Sequence, residues 1–365
     1  MRRVTIVGAG VFGAWTANAL HRRGWQVTIL EQHGPANARA SSGGETRIIR
    51  SGYGDLDRYA RWARESLPHW RALEDRGGER LFVRTGALFV GRNSRWLDDT
   101  AAVLEREGIP CDRLDGDGIA RRYPQLAFDD AAGAVFEPEA GVLFARRAVQ
   151  LLVRTLVADG VSLECRRAEA AALLRDDPAD AIVFAAGPWL PTLLPQLHDV
   201  IHPTRQEVFF VGAPAGDARF SPSQLPAWVA FDDGIYGVPD LESRGVKIAV
   251  DAHGAAADPE TMDRVVDATA VRRMRDVLSR RMPALADAPL LETRVCQYEN
   301  TTDGHLLLAR LPGHERAWVA GGGSGHGFKH GPMVGRYVAD LIEDRIEPDP
   351  VFGLDGRPPR RRSVY

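Results

Sequence analysis

Apolar residues along this chain follow two rhythms. Short, nearly continuous runs such as Val4–Val7, Val27–Leu30 and Asp180–Ala186 stop at charge, glycine or proline and read as buried strands. Between the first two, the stretch from Val11 to about Arg23 has helical character, and Gly24 supplies its stop. Near the C-terminus Trp318–Ala320 reads as another short strand. Beyond it Val334, Tyr337, Val338, Leu341 and Ile342 recur at i, i+3, i+4, i+7 and i+8, an apolar stripe on a helix that opens at Pro332. Arg146–Ala158 and Val265–Arg281 are further helical blocks. Residues 81–140 and 201–294 hold more strand-like stretches (Leu81–Val90, Gln206–Val211, Val246–Val250), separated by Gly, Pro and Asp turns. The pattern predicts an α/β chain, α+β overall. One unit of helices and strands (1–80, 141–200 and 295–365) carries an antiparallel-sheet unit (81–140 and 201–294) inserted in two places. The basic, proline-containing tail Arg357–Tyr365 reads as a frayed end.

The first strand runs directly into Gly8-Ala9-Gly10-Val11-Phe12-Gly13, and the second ends in Glu31. Strand, GxGxxG, helix, strand and acid in that order form the Rossmann-type dinucleotide unit. Gly8 permits the tight turn, Gly10 lets backbone approach a pyrophosphate, and Gly13 lets helix and strand pack closely. The helix N-terminus at Val11 offers N–H groups to phosphate, and Glu31 is placed to accept ribose hydroxyls. This unit does not separate NAD from FAD. Two later segments lean toward FAD: the Asp180–Ala186 strand that breaks at Gly187-Pro188, and GGGSGHGFKHG, a second glycine loop aimed at a second helix N-terminus.

A length of 365 residues is more than one compact core usually takes and suggests two domains or one large α/β unit. A net charge of −3 excludes a generally basic nucleic-acid binder. Cys111, Cys165 and Cys296 have neither disulfide-framework nor zinc-ribbon spacing. No apolar run reaches the roughly 18 residues of a membrane-spanning helix. A cytoplasmic protein without nucleic-acid or membrane partner is expected. Of 46 basic residues only Lys247 and Lys329 are lysines; a bias toward arginine explains the rest and leaves these two to be accounted for. His326 and His330 have an i, i+4 spacing that binds metal on a helix. They lie in a glycine loop before Pro332, so no metal is assigned. GGGSGHG also misses the GxSxG nucleophile pattern, because His326 takes the last glycine's place.

Beyond these features, the chain resembles the monomeric sarcosine oxidase / N-methyltryptophan oxidase group of D-amino-acid-oxidase-like flavoproteins. The resemblance rests on GAGVFG, Gly44–Tyr53 (GETRIIRSGY), Gly141–Ala145, Arg205-Gln206, Gly234–Pro239, Gly245–Val250, Arg294–Tyr298 (RVCQY) and Ser324–Lys329 (SGHGFK), in order over nearly the whole chain. It implies a monomer that oxidises an amino-acid-like amine with molecular oxygen, using FAD attached through Cys296. It implies cofactor contacts at Thr46, Arg47, Gly187, Gly323, Gly325, Gly327, Phe328 and Lys329, besides the Gly8–Gly13 loop. It places Lys247 over the flavin, where a positive charge helps oxygen accept electrons, and gives the substrate carboxylate to Arg50 and Lys329. His326 is expected beside the flavin, and Tyr298 on the face of an extended strand that Cys296 shares. Arg294 is read as the cation that favours a Cys296 thiolate, and Cys111 and Cys165 as buried structural cysteines.

Three departures from the resemblance concern the substrate pocket. Asp251 stands where sarcosine oxidases show histidine, Gly322 and Gly323 replace bulkier residues, and GIYGVP has one tyrosine rather than two. The resulting expectation is an FAD-dependent amine oxidase for an N-substituted, cyclic or unusual amino acid, with Asp251 facing a second amine or hydroxyl. The alternatives are an amine dehydrogenase that passes electrons to another carrier, which Lys247 argues against, and a non-catalytic flavin-binding sensor.

Overall fold

In the computed structural model, which describes residues 1–358, three sheets are present among the described residues. The first is six-stranded. Its order is Leu307–Arg310, Ala317–Gly321, Ala181–Phe184, Arg3–Val7, Gln26–Glu31 and Ser162–Cys165. Every pairing in it is parallel except the outer one between Leu307–Arg310 and Ala317–Gly321. Both faces of its central strands are covered, which is why they read as unbroken apolar runs rather than alternating ones.

The second sheet is eight-stranded, in the order Leu290–Thr301, Ile201–Val211, Val246–Val250, Ile235–Val238, Ala227–Ala230, Ala87–Gly91, Gly133–Glu137 and Asp112–Leu114. Its pairings are antiparallel, save one parallel contact between Ala227–Ala230 and Ala87–Gly91. A small third sheet joins Thr46–Ile49, Gly141–Phe144 and Phe82–Val83. The architecture is the expected α/β one, a Rossmann-type sheet beside a mainly antiparallel sheet.

Several local expectations shift. Leu81–Val90 is not one strand: Gly86, at φ +71°, breaks it into Phe82–Val83 and Ala87–Gly91, which belong to different sheets. The helix predicted from Val265 starts at Ala268, because the Asp267 side chain caps the Ala270 amide at 2.7 Å. The Leu290–Thr301 strand runs through position 295, paired with Ile201–Phe210 in one register from Glu292 to Thr301, with a shift only at Phe210/Val211. One rigid strand therefore leads from the large sheet toward the parallel sheet's open end.

The first helix, Val11–His21, packs against the last, Gly331–Ile342. The approach is so close that a Cβ on Gly335 would lie 2.3 Å from the Trp15 carbonyl oxygen. The helices behind the two glycine loops are thus locked together. Arg357 is not frayed: its guanidinium is buried against Asp303 at 2.6 Å and donates to Leu306 O at 2.8 Å. Residues 359–365 of the basic tail lie outside the described residues.

Candidate active site

Strands of a parallel sheet end where their helices begin, so the carboxyl edge of the first sheet is a natural crevice. A cleft of about 400 Å³ opens there, lined by Gly8, Gly10 and Val11 on one side and Gly323, Gly325 and Gly327 on the other. The glycines are needed for space. A Cβ on Gly8 would sit 2.5 Å from Ala185 O, and one on Gly13 would sit 1.9 Å from Gly8 O. Gly8 also has φ +106°, a conformation open mainly to glycine. Gly325, at φ +81°, lies so close to Tyr298 that a Cβ would touch its ring at 2.8 Å, and a Cβ on Gly327 would meet Phe12 at 2.7 Å. Gly187, also at positive φ, and Phe328, stacked on Trp70, complete this lining.

Glu31 stands at the rim of the cleft. Its two oxygens accept the Ala9 amide at 2.8 Å and the His33 amide at 3.0 Å, which fixes the carboxylate while leaving lone pairs for ribose. The Val11 amide is taken by Ser42 Oγ at 3.0 Å, a contact sequence reading missed. An extended dinucleotide fits this lining: a glycine-walled floor, a helix N-terminus at one end, and unpartnered buried acceptors on Gln297 and Glu299 along the wall.

Next to the cleft, and sharing Arg47, Tyr298, Gly325 and Phe328 with it, is a smaller cavity that Arg50, Lys329, His326, Asp251 and Tyr236 also line. Lys329 is buried, and its Nζ donates to Tyr53 Oη at 2.7 Å and His326 O at 2.8 Å. One of its three N–H groups is left for a ligand. The Arg50 guanidinium lies 4.5 Å from the Tyr53 ring centre and Lys329 Nζ lies 5.1 Å from it. Arg50 also donates to Gly52 O, and the Ser51 amide is held by buried Glu137 at 2.7 Å. Burial, and then the Arg50 charge, hold the Lys329 pKa well below its ordinary value. An anion arriving here would reverse that penalty.

Opposite these cations the Tyr298 hydroxyl donates to Asp251 Oδ1 at 2.7 Å. Burial, reinforced by Asp251, raises the Tyr298 pKa well above normal, so the phenol keeps its proton. His326 Nε2 lies 3.0 Å from Gly304 O and Nδ1 lies 3.2 Å from Tyr53 Oη. Burial, and then Lys329, lower its pKa to about 3, so the ring is neutral. His330 reaches the same Tyr53 hydroxyl at 2.9 Å. The histidine pair with metal-like spacing therefore brackets a tyrosine. Tyr53, Tyr236, Glu137, Gln297 and Glu299 were not singled out from sequence. Tyr53, Gln297 and Tyr236 lay within GETRIIRSGY, RVCQY and GIYGVP, whereas Glu137 and Glu299 lay in none of the segments that carry the resemblance.

Lys247 faces another way. It lies with Cys296 and Arg47 on a separate cavity of about 240 Å³. Its Nζ donates to Thr46 O at 3.0 Å and sits 5.0 Å from the Tyr236 ring centre. Burial, and then the Arg47 charge, lower its pKa from 10.5 to about 7. Val246 and Ile248 join the core on the opposite face, as alternation requires.

Two cysteine expectations need correction. The cation at Cys296 is Arg47, whose Nη2 lies 3.5 Å from Sγ. Arg294 is drawn off by Glu45 at 2.9 Å and Glu292 at 2.5 Å. Cys165 is exposed, because Ser162–Cys165 is the outermost strand of its sheet, and Cys111 is only partly buried.

A parallel sheet with two glycine loops at its carboxyl edge, beside a buried pair of cations, defines a dinucleotide-dependent enzyme. A sequence profile described as FAD dependent oxidoreductase matches residues 3–341, and the chain belongs to that family. Monomeric sarcosine oxidase of Streptomyces avermitilis is 30% identical over 97% of both chains. N-methyl-L-tryptophan oxidase of Salmonella arizonae is 27% identical over 96% of both. Among solved structures, L-proline dehydrogenase from P. horikoshii matches with a TM-score of 0.81 at 20% identity, covering 96% of this chain and 95% of that one. That likeness shows the fold alone. No helix among the described residues is long and apolar enough to cross a membrane.

Proposed function

We propose that this protein is an FAD-dependent amine oxidase. It oxidises the carbon beside the nitrogen of an N-substituted, cyclic or otherwise unusual amino acid to the imine, and reduces oxygen to hydrogen peroxide. The observation that carries the reading is the small cavity in which Arg50 and Lys329 meet over Tyr53, facing Asp251 and Tyr298. The relatives named sarcosine oxidase and N-methyl-L-tryptophan oxidase support an N-substituted amino acid as the substrate class.

When bound, FAD supplies the sink for two electrons and returns them to oxygen. The protein's own part is position and field. Arg50 and the free N–H of Lys329 anchor the substrate carboxylate in a site sheltered from water, where charge-assisted hydrogen bonds are strong. The substrate amine enters uncharged, and neutral His326 adds no further positive charge beside it. Asp251, held by Tyr298, accepts from a second amine or hydroxyl on the substrate. Lys247, on the cavity it shares with Cys296 and Arg47, provides a positive charge for oxygen reduction. Cys296, with Arg47 at its sulfur, is the attachment point for the flavin. The cofactor unit is built from residues 1–80, 141–200 and the chain from 302 to 358, the substrate unit from 81–140 and 201–301, since the Leu290–Thr301 strand stays in the large sheet across position 295, and the protein works as a cytoplasmic monomer.

An anaerobic screen of N-methyl and cyclic amino acids tests this reading. At least one should bleach the yellow flavin band, and readmitted air should restore it with peroxide formed. No bleaching by any amine removes the enzyme assignment. Bleaching without peroxide in air makes the protein a dehydrogenase.

A further inference from the structure

The strand that bears Cys296 and Tyr298 has a second face. Gln297 and Glu299 alternate with them along Leu290–Thr301, so their side chains leave on the other side, about 7 Å apart. They are 1% and 7% exposed, and both line the 400 Å³ cleft. Each is half satisfied. Gln297 Nε2 donates to Arg39 O at 2.6 Å, which fixes the amide's orientation, and its Oε1 has no partner. Glu299 Oε1 accepts the Gly323 amide at 3.2 Å, and its Oε2 has no partner.

Glycines keep the space around Glu299 open. A Cβ on Gly187 would lie 3.6 Å from Oε2, one on Gly321 3.5 Å from Oε2, and one on Gly323 3.2 Å from Oε1. Buried polar atoms are normally paired, and the exceptions ask for a partner. Two acceptors in a row on one wall select a ligand that brings donors. Phosphates bring none, and the glycine loop leading into the first helix already suits them. A polyol brings hydroxyl hydrogens on successive carbons.

We infer that Gln297 and Glu299 form a polyol-recognising edge for the bound FAD, with Gln297 Oε1 and Glu299 Oε2 accepting hydrogen bonds from the ribityl hydroxyls. The inference rests on the family's FAD dependence and not on the amine-oxidase reading. Glu299 serves in either protonation state, since a neutral carboxyl keeps an acceptor oxygen.

The test is equilibrium FAD binding by fluorescence titration on a Cys296→Ser background, where the flavin exchanges freely. The probes are FAD, FAD lacking a ribityl hydroxyl, and N3-methyl FAD. Glu299→Leu should bind FAD about tenfold to a hundredfold more weakly and should no longer distinguish FAD from the deoxyribityl analogue. Glu299→Gln should keep most of both affinity and discrimination. The FAD-free Glu299→Leu protein should melt no lower than its parent, because the buried carboxyl it loses is only half paired. If Glu299→Leu fails to fold, Gln297→Leu carries the same comparison. Unchanged FAD affinity, or an equal loss for FAD and the deoxyribityl analogue, overturns the inference. So does finding that N3-methyl FAD is the analogue whose penalty disappears, which would give the contact to the ring instead.

Discussion

Each of the two surviving lysines occupies a buried cavity where the shape of an ammonium matters. Lys329 holds two acceptors of its own and keeps one donor, an arrangement a planar guanidinium would not copy. Lys329→Met should lower kcat/KM for the amino-acid substrate about 10²-fold, roughly 3 kcal/mol. The same change should scarcely affect an analogue whose carboxylate is replaced by an amide, and steady-state kinetics on the pair checks this. Lys247 titrates near 7, so its charge is lost as pH rises through that value. Reoxidation by air should therefore slow above about pH 7, and in Lys247→Met it should be slower by about 10²-fold and independent of pH. Stopped-flow reoxidation of the reduced enzyme across pH measures both. A variant that reoxidises as fast as the parent would end the oxygen role.

The elements act through close contact rather than through many polar bonds. The two glycine loops face one cleft because their helices, Val11–His21 and Gly331–Ile342, meet at Gly335 against the Trp15 carbonyl. Gly335→Ala should force them apart, costing about 1–3 kcal/mol and widening both ends of the cleft. A lower melting temperature together with faster flavin loss from the Cys296→Ser protein would show it. Unchanged flavin retention would mean that the loops are set independently. The Leu290–Thr301 strand couples two sites in a different way: one face carries Cys296 and Tyr298, the other Gln297 and Glu299. A one-residue slip would exchange the faces, and its long pairing with Ile201–Val211 holds the register.

Over the whole molecule, burying ionisable groups in the cleft makes stability depend on pH. Burial raises the Glu299 pKa from 4.5 to about 8. The folded chain then binds more protons than the unfolded chain between those values. Its contribution is fully present below about 4.5 and is lost as pH rises toward 8. The flavin-free wild type should therefore lose stability relative to Glu299→Gln between pH 5 and pH 8. Urea-unfolding midpoints at the two pH values provide the measurement, and parallel behaviour of the two proteins would contradict it.

Local order was enough to read the parallel sheet and the first glycine loop, whereas attention came to Lys247, Arg50 and Lys329 through the family resemblance. Strand, turn and helix signals lie within a few residues of one another, and a nucleotide loop is a local object. The sequence did not reveal that Arg47 rather than Arg294 attends Cys296, since the two guanidiniums differ only in which carboxylates the fold sets beside them. Nor did it mark Tyr53 as the meeting point of Lys329, His326 and His330, or Glu299 as a half-paired acid. Those facts depend on distances between segments far apart in the chain. Burial and partner choice are properties of the folded packing, and no stretch of residues carries them alone.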